Sequence, residues 1–187
     1  MFPEFLKQKY IIILAIVILL AGAAVWYFGF APVMSVEGKN VSIGEFSKIK
    51  GAISRYDEVS HAVGTTTLPV ELNRRALSNI IEIMLVDKLV SETDPSINQR
   101  AEDVVKEALA GNKNFSLADA AERLYGLSEK DFMDLVLIPQ AKRSLLLDHF
   151  KDDPTKLNDA WENINKTADI KIYYPGYYWE SGEVKTK

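Results

Sequence analysis

The pattern of hydrophobic and polar positions begins with one long apolar run. Residues Tyr10 to Phe30 carry no charge, and a helix of that length rises about 30 Å, the thickness of the hydrocarbon core of a bilayer. Lys7 and Lys9 precede the run, and no basic residue follows it until Lys39. Because positive charge stays on the cytoplasmic side, we expect a single-pass anchor in the cytoplasmic (inner) membrane. The expected partner of the anchor is the lipid bilayer. Residues 1–9 are expected to be cytoplasmic, and the residues after the span are expected to be extracytoplasmic.

A cleaved signal peptide is the alternative interpretation of the same run. The small residues Ala21, Gly22 and Ala23 follow a shorter apolar stretch, Ile11 to Leu20, as they would at a cleavage site. Cleavage there would leave an exposed apolar N-terminus, Ala-Val-Trp-Tyr-Phe-Gly-Phe, whereas an uncleaved anchor buries these residues in lipid. The pattern therefore favours the anchor.

Beyond the span, the apolar positions predict a mostly α domain over residues 31–174. Apolar residues recur every three or four positions, which is the period of a helix with one buried face. Ser42 and Ser96 are each followed three residues later by Glu or Gln, the pattern of a capping box at a helix start. The predicted helices begin at Ser42, Pro69, Ser96, Ser116, Ser128 and Pro154. The second runs to about Ser91 and is predicted to bury Leu72, Ala76, Ile80, Ile83, Met84, Val86 and Leu89.

Strand patterns occur at the two ends of this domain. Residues 33–41 contain a turn at Glu37-Gly38, and residues 168–174 alternate between apolar and polar side chains. A lone strand is not stable in water, so we expect the two ends to pair in a small sheet beside the helices. Residues 175–187 are predicted to form a C-terminal tail.

The segment from Glu129 to Phe150 is apolar most of the way around a helix, so one buried face cannot hold all of its apolar residues. It is either the central helix of the domain or a helix whose surface carries an apolar groove for a partner. Pro139 lacks an amide hydrogen and should kink the helix, which opens space beside the bend. The candidate client-binding residues are Phe132, Met133, Val136, Leu137 and Pro139.

Composition removes several classes of function. The chain has no cysteine, which excludes a disulfide framework, a thiolate nucleophile and a Cys-type zinc site. The formal net charge is −4 and the basic residues are scattered among acids, so nucleic acid is not an expected partner. His61 and His149 lack the spacing of metal ligands, and no motif for a catalytic nucleophile or a phosphate loop occurs. We expect no enzyme activity, no metal and no cofactor.

The order of elements over about Val33 to Tyr174 resembles the N-terminal chaperone module of the SurA, PpiD and PrsA group of envelope foldases. The resemblance implies a helical, chaperone-type domain. The segments that carry it are Val36-Glu37-Gly38, Glu45-Phe46, the Ile80 to Leu89 helix, the Ser96 cap, Phe115 through Gly126-Leu127-Ser128, the Leu-rich helix and the strand at Ala168 to Ile172.

One departure from that group matters for activity. In its enzymes a parvulin-type prolyl isomerase domain sits between the Leu-rich helix and the last helix. Here only Lys151 to Lys156 separate Phe150 from Leu157, far fewer residues than the roughly 50 of the smallest domains. Isomerase activity is therefore not implied by the resemblance.

Two functions from different classes follow. In the first, the domain is a tethered holdase that binds extended apolar segments of unfolded or nascent extracytoplasmic proteins. In the second, it is a non-catalytic assembly or scaffold protein that docks one specific envelope protein through the same surface. Aromatic side chains near the C-terminus would serve the second function as an anchor, although they could equally cover the edge of the core. These are Tyr173, Tyr174, Tyr177, Tyr178 and Trp179.

Overall fold

The structure, a computed structural model, describes residues 14–24, 31–60, 68–111 and 116–187. Residues 14–24 form helix α1 within the predicted anchor. The remainder of that prediction, residues 10–13 and 25–30, lies outside the described residues, as do the predicted cytoplasmic residues 1–9. Among the helices that are described, none combines the length and the apolar character needed to cross a membrane.

The domain that follows is mostly helical, with two small antiparallel sheets. Its helices are α2 (Ile43–Ser60), α3 (Pro69–Thr93), α4 (Ile97–Gly111), α5 (Leu117–Ala120), α6 (Glu129–Phe132), α7 (Ile138–His149) and α8 (Pro154–Thr167). Its strands are β1 (Pro32–Val36), β2 (Lys39–Ser42), β3 (Ile170–Ile172), β4 (Tyr177–Glu180) and β5 (Glu183–Thr186).

The predicted pairing of the two ends of the domain is confirmed. Strands β1 and β2 form a hairpin whose turn residues, Glu37 and Gly38, have positive φ angles of 52° and 74°. Strand β3 pairs antiparallel with β1 on its other edge, with Met34 opposite Ile172. The three strands therefore lie in the order β2-β1-β3, because β1 has two edges and each flanking strand satisfies the backbone groups of one of them.

Helix α3, and not the apolar segment 129–150, is the central helix of the domain. It packs against helices α2, α7 and α8 and against strand β5. Neighbours on several sides bury residues outside the single predicted stripe, such as Leu77 and Ile81. Three residues that were predicted to be buried, Leu72, Ile83 and Met84, are only half-buried. The buried residues of α3 are Ala76, Leu77, Ile80, Ile81, Leu85, Val86, Leu89 and Val90.

The segment 129–150 is not one continuous α-helix, and we call it the bent segment after the kink predicted at Pro139. Helix α6 is followed by a π-helical turn, Met133–Leu137, and then by α7. The π-helical turn ends two residues before Pro139, whose ring and missing amide hydrogen disrupt the regular hydrogen bonds of an α-helix. Of the apolar residues in this segment, only Phe132, Pro139 and Leu146 are buried. The π-helical turn interrupts the α-helix beside the proline, whereas the predicted kink itself stays a prediction.

The hydrogen bonds at the helix starts test the capping that the sequence predicted. The capping box at Ser42 is confirmed: the Ser42 amide donates to Glu45 Oε2 at 2.7 Å, and the Glu45 amide donates to Ser42 Oγ at 3.2 Å. Ser116 and Ser128 also accept from amides three residues on, at 3.2 and 3.1 Å. The capping box predicted at Ser96 is wrong, because the Gln99 side chain donates to Asp103 Oδ1 at 3.0 Å rather than bonding Ser96. The amide and the hydroxyl of Ser96 both donate to Asp94 Oδ1, at 3.0 and 2.7 Å, so a side chain two residues upstream satisfies them.

Residues 175–187, predicted to be a tail, form the β4–β5 hairpin instead. The hairpin packs on α3, and the side chains of Tyr177 and Val184 are buried in the main core. The hydroxyl of Tyr177 donates to the carbonyl of Val70 at 2.9 Å, which fastens the hairpin to the first turn of α3. Trp179 lies opposite Val184 and two residues from Tyr177, so these three side chains share the face of the hairpin that covers the helix.

Candidate functional site: an apolar cleft beside the bent helix

An open cleft of about 250 Å³ lies between α2, α3, the bent segment 129–150 and residues 125–127, which end and follow a π-helical turn at Ala121–Tyr125. Its walls are mainly aliphatic and aromatic, and all four parts of the chain supply some of them. The apolar lining residues are Ile49, Ala52, Ile53, Tyr56, Ile83, Tyr125, Leu127, Leu135, Val136 and Pro139. A cleft of this size and chemistry accepts a few apolar side chains from a ligand.

Two stacked tyrosines form part of the wall. The rings of Tyr56 on α2 and Tyr125 lie 5.2 Å apart and 14° from parallel, and the ring of Phe132 lies 4.9 Å behind Tyr125. Burial, and to a lesser degree the neighbouring Tyr56, raises the pKa of Tyr125, so its hydroxyl stays neutral well above pH 7. Tyr56 is 43% exposed and is therefore reachable from solvent.

Polar groups occur at a few points of the same cleft. Arg75 makes two hydrogen bonds to Asp57, at 2.5 and 3.2 Å, and Arg143 Nη2 lies 3.0 Å from Glu82 Oε1. Within the described part of the chain, Arg143 Nε is buried and has no hydrogen-bond partner. A buried donor without an acceptor costs free energy, and the guanidinium offsets part of that cost through its contact with Glu82.

Ion pairs hold the bent wall against the rest of the domain. Lys142 on α7 contacts Asp87 on α3 at 2.7 Å. At the other end of the bent segment, Lys48 on α2 contacts Asp131 on α6 at 2.9 Å. Hydrogen bonds from Lys48 and Ser128 lower the pKa of Asp131, so it remains a carboxylate near neutral pH. These two ion pairs lie outside the apolar lining and connect the bent segment with α3 and with α2.

The structure separates the five candidate client-binding residues. Val136 and Pro139 line the cleft. Phe132 is buried in a second hydrophobic cluster with Ala52, Leu117, Ala121 and Leu127, and Met133 and Leu137 pack half-buried against that cluster. The cleft residues that sequence reasoning missed, Tyr56, Ile83 and Tyr125 among them, belong to elements distant in sequence, and no local pattern connects them.

The aromatic residues near the C-terminus mostly cover the core. The ring of Tyr174 lies 4.9 Å from Phe46 and 5.7 Å from Tyr177. Trp179 is half-buried and packs against the main core. Tyr173 differs, since half of its side-chain surface is exposed. The cluster as a whole is therefore an edge of the core.

Among the residues that the structure describes, no three His, Asp or Glu side chains converge so that they could hold a metal ion. No protein-family model, no curated protein and no solved structure matches this chain. The functional interpretation is therefore based on the geometry of the cleft.

Proposed function

We propose that this protein is a membrane-anchored, extracytoplasmic holdase that shelters extended apolar segments of unfolded or translocating proteins in the cleft. The observation that carries the proposal is an open cleft whose mainly apolar walls come from elements far apart in sequence. An extended peptide matches such walls, because it presents apolar side chains along its length.

The size of the cleft favours a short segment of a client. A volume of about 250 Å³ lies slightly below the usual range of small-molecule sites, roughly 300–1,000 Å³. Such a site holds a few side chains and releases them readily. Weak and broad binding is the behaviour that a holdase requires.

The anchor and the lack of an isomerase domain complete the proposal. The uncharged run Tyr10 to Phe30 would tether the domain at the outer face of the cytoplasmic membrane, where translocating chains emerge. Helix α7 ends at His149 and α8 begins at Pro154, so the connection has no room for a parvulin-type domain. The order of elements that resembles the SurA, PpiD and PrsA module supports the same role.

The test uses the full chain in lipid nanodiscs and an unfolded client whose aggregation is followed by light scattering. The wild-type chain should suppress aggregation and should not accelerate prolyl isomerisation of a peptide. Tyr56→Asp should abolish the protection, because an apolar client would have to desolvate the new charge. The matched control is Val59→Asp, on the same helix and 44% exposed but not part of the cleft.

Circular dichroism of both variants separates binding from folding. Loss of protection only in Tyr56→Asp, with an unchanged spectrum, supports the cleft as the client site. A wild-type chain that protects no client contradicts the holdase. Recovery of one stoichiometric partner by that chain would then favour the assembly role, for which a second apolar groove is available around Leu147, Leu157 and Trp161.

A further inference from the structure

The folded domain begins directly where the predicted anchor ends. Phe30 is the last residue of the predicted span, and the carbonyl of the next residue, Ala31, accepts a hydrogen bond from the amide of Ile43 at 2.9 Å. Consecutive Cα atoms are about 3.8 Å apart. If the span crosses the bilayer, no flexible linker separates lipid from the start of β1, and this end of the domain must lie at the membrane surface.

Hydrogen bonds connect that end of the domain to two further segments. The amide of Tyr173 donates to the carbonyl of Val33 at 2.8 Å, and the amide of Tyr177 donates to the carbonyl of Tyr174 at 3.4 Å. The hydroxyl of Tyr177 in turn reaches the carbonyl of Val70 at 2.9 Å. The start of β1, the loop after β3 and the first turn of α3 therefore lie at one end of the domain.

Apolar and aromatic side chains are exposed at this end. Leu68 is 72% exposed, Val70 57% and Tyr173 50%. Pro32 and Pro175 are also exposed. We refer to these five residues as the entry rim. Nothing among the described residues covers them, although exposure of apolar surface to water is unfavourable.

The opposite end of the domain provides a contrast. At the far end of β1, Glu37 contacts Lys88 near the end of α3 at 2.9 Å. The exposed Leu147 lies in a groove with Leu89, about 28 Å along α3 from Val70 at about 1.5 Å per residue. An apolar residue there is too far from the start of β1 to touch lipid when the entry rim does.

We propose that the entry rim rests in the headgroup region of the bilayer and fixes the orientation of the domain on the membrane. This inference rests on the anchor of the proposed function. Lipid is the occupant because the span and the domain share no linker, so the bilayer reaches this surface before any other partner. A tyrosine beside prolines and aliphatic residues suits the boundary between headgroups and acyl chains. Helix α3 then extends from the membrane with its C-terminal end outward.

The absence of cysteine from the chain makes the test direct, because a single introduced cysteine can carry one fluorophore. The full-length variants Leu68→Cys and Tyr173→Cys place the label on the entry rim. Leu147→Cys and Val104→Cys are controls at exposed apolar residues outside it, and Ile18→Cys reports the anchor. Each labelled chain is reconstituted in phosphatidylcholine vesicles with and without a lipid that carries a quencher near the headgroup end of its acyl chains.

Labels at Leu68 and Tyr173 should be strongly quenched and should emit at shorter wavelength than labels at Leu147 and Val104. Circular dichroism confirms that each variant is folded, and either rim position suffices if the other variant does not fold. Quenching at Ile18 without quenching at the rim overturns the orientation and leaves the anchor intact. Equal quenching at the rim and the controls also overturns it. A chain that alkaline carbonate extracts from the vesicles overturns the anchor and the orientation together.

Discussion

Glu37 and Asp169 exchange two hydrogen bonds across 132 residues of sequence. The amide of Glu37 donates to the carbonyl of Asp169 at 2.8 Å, and the amide of Asp169 donates to Glu37 Oε1 at 2.9 Å. The other carboxylate oxygen lies 2.9 Å from Lys88 Nζ on α3. A single side chain in the hairpin turn therefore ties both ends of the domain to its central helix.

This relationship predicts a pH dependence of stability. The hydrogen bond from Lys88, then that from Asp169, lowers the pKa of Glu37 in the folded state. A carboxyl group with a lowered folded pKa stabilises the protein above its unfolded pKa, and that contribution is lost as pH falls through the folded value. Glu37→Gln should therefore be less stable than wild type at pH 7, and the difference should shrink as the pH falls below 4.5, the ordinary pKa of a glutamate.

Chemical denaturation across that pH range measures the difference. The control is Glu92→Gln, which lies 4.0 Å from the same lysine but is more exposed, so its effect should be smaller at every pH. A difference between Glu37→Gln and wild type that is constant with pH would contradict the assignment.

The C-terminal hairpin should be part of the cooperative fold. Tyr177→Phe removes the hydrogen bond to the carbonyl of Val70 and should lower the free energy of unfolding by about 1 kcal/mol. Tyr178→Phe, one residue along β4, is the matched control, because its hydroxyl makes no hydrogen bond within the described residues. Equal unfolding midpoints for Tyr177→Phe and wild type would show that the hairpin contributes little.

Phe132 should act through folding rather than through client binding. Its ring is buried in the second hydrophobic cluster, so Phe132→Ala should cost about 3–5 kcal/mol of stability. Leu147→Ala, at an exposed apolar position of the same bent segment, should change stability by less than about 0.5 kcal/mol. Urea unfolding measures both. If Phe132→Ala keeps wild-type stability and loses only client protection, its assignment to the core is wrong.

The proposed anchor predicts a definite topology. Protease added to cells whose outer barrier has been removed should digest the domain after Phe30, because lysines before a span favour a cytoplasmic N-terminus. A known extracytoplasmic protein should be cut in parallel, and a cytoplasmic protein should survive. Protection of the domain contradicts the orientation, and a mature chain that begins at Ala24 would show that a signal peptide has been cleaved.

Local features of the sequence determined much of the secondary structure. Serine hydroxyls at Ser42, Ser116 and Ser128 cap the helices that they were predicted to begin, because capping depends on residues within one turn. The pairing of β1 with β3 was also predictable, since the domain offered few other strands. At Ser96 the same reasoning failed, because Asp94 accepts from the amide and the hydroxyl of Ser96 and the Gln99 side chain bonds Asp103 instead.

Only the tertiary structure decided which surfaces are core. Periodicity identifies an apolar face but not the number of elements that cover it, so the central position fell to α3 rather than to the more apolar segment 129–150. The same limit explains why the β4–β5 hairpin was not predicted. Its residues become buried only through contact with α3. Phe132 likewise became a core residue because distant leucines and alanines enclose it.

The cleft shows most clearly which features the sequence determines and which the tertiary structure decides. The sequence placed Val136 and Pro139 beside a predicted bend, on the ground that the proline lacks an amide hydrogen. Tyr56, Ile83 and Tyr125 complete the walls from other elements, and their proximity depends on how α2 and α3 cross the bent segment. Side-chain packing between elements far apart in sequence sets those crossings. The sequence was therefore enough to predict the chemistry of one wall, whereas the shape of the cleft was decided only by the tertiary structure.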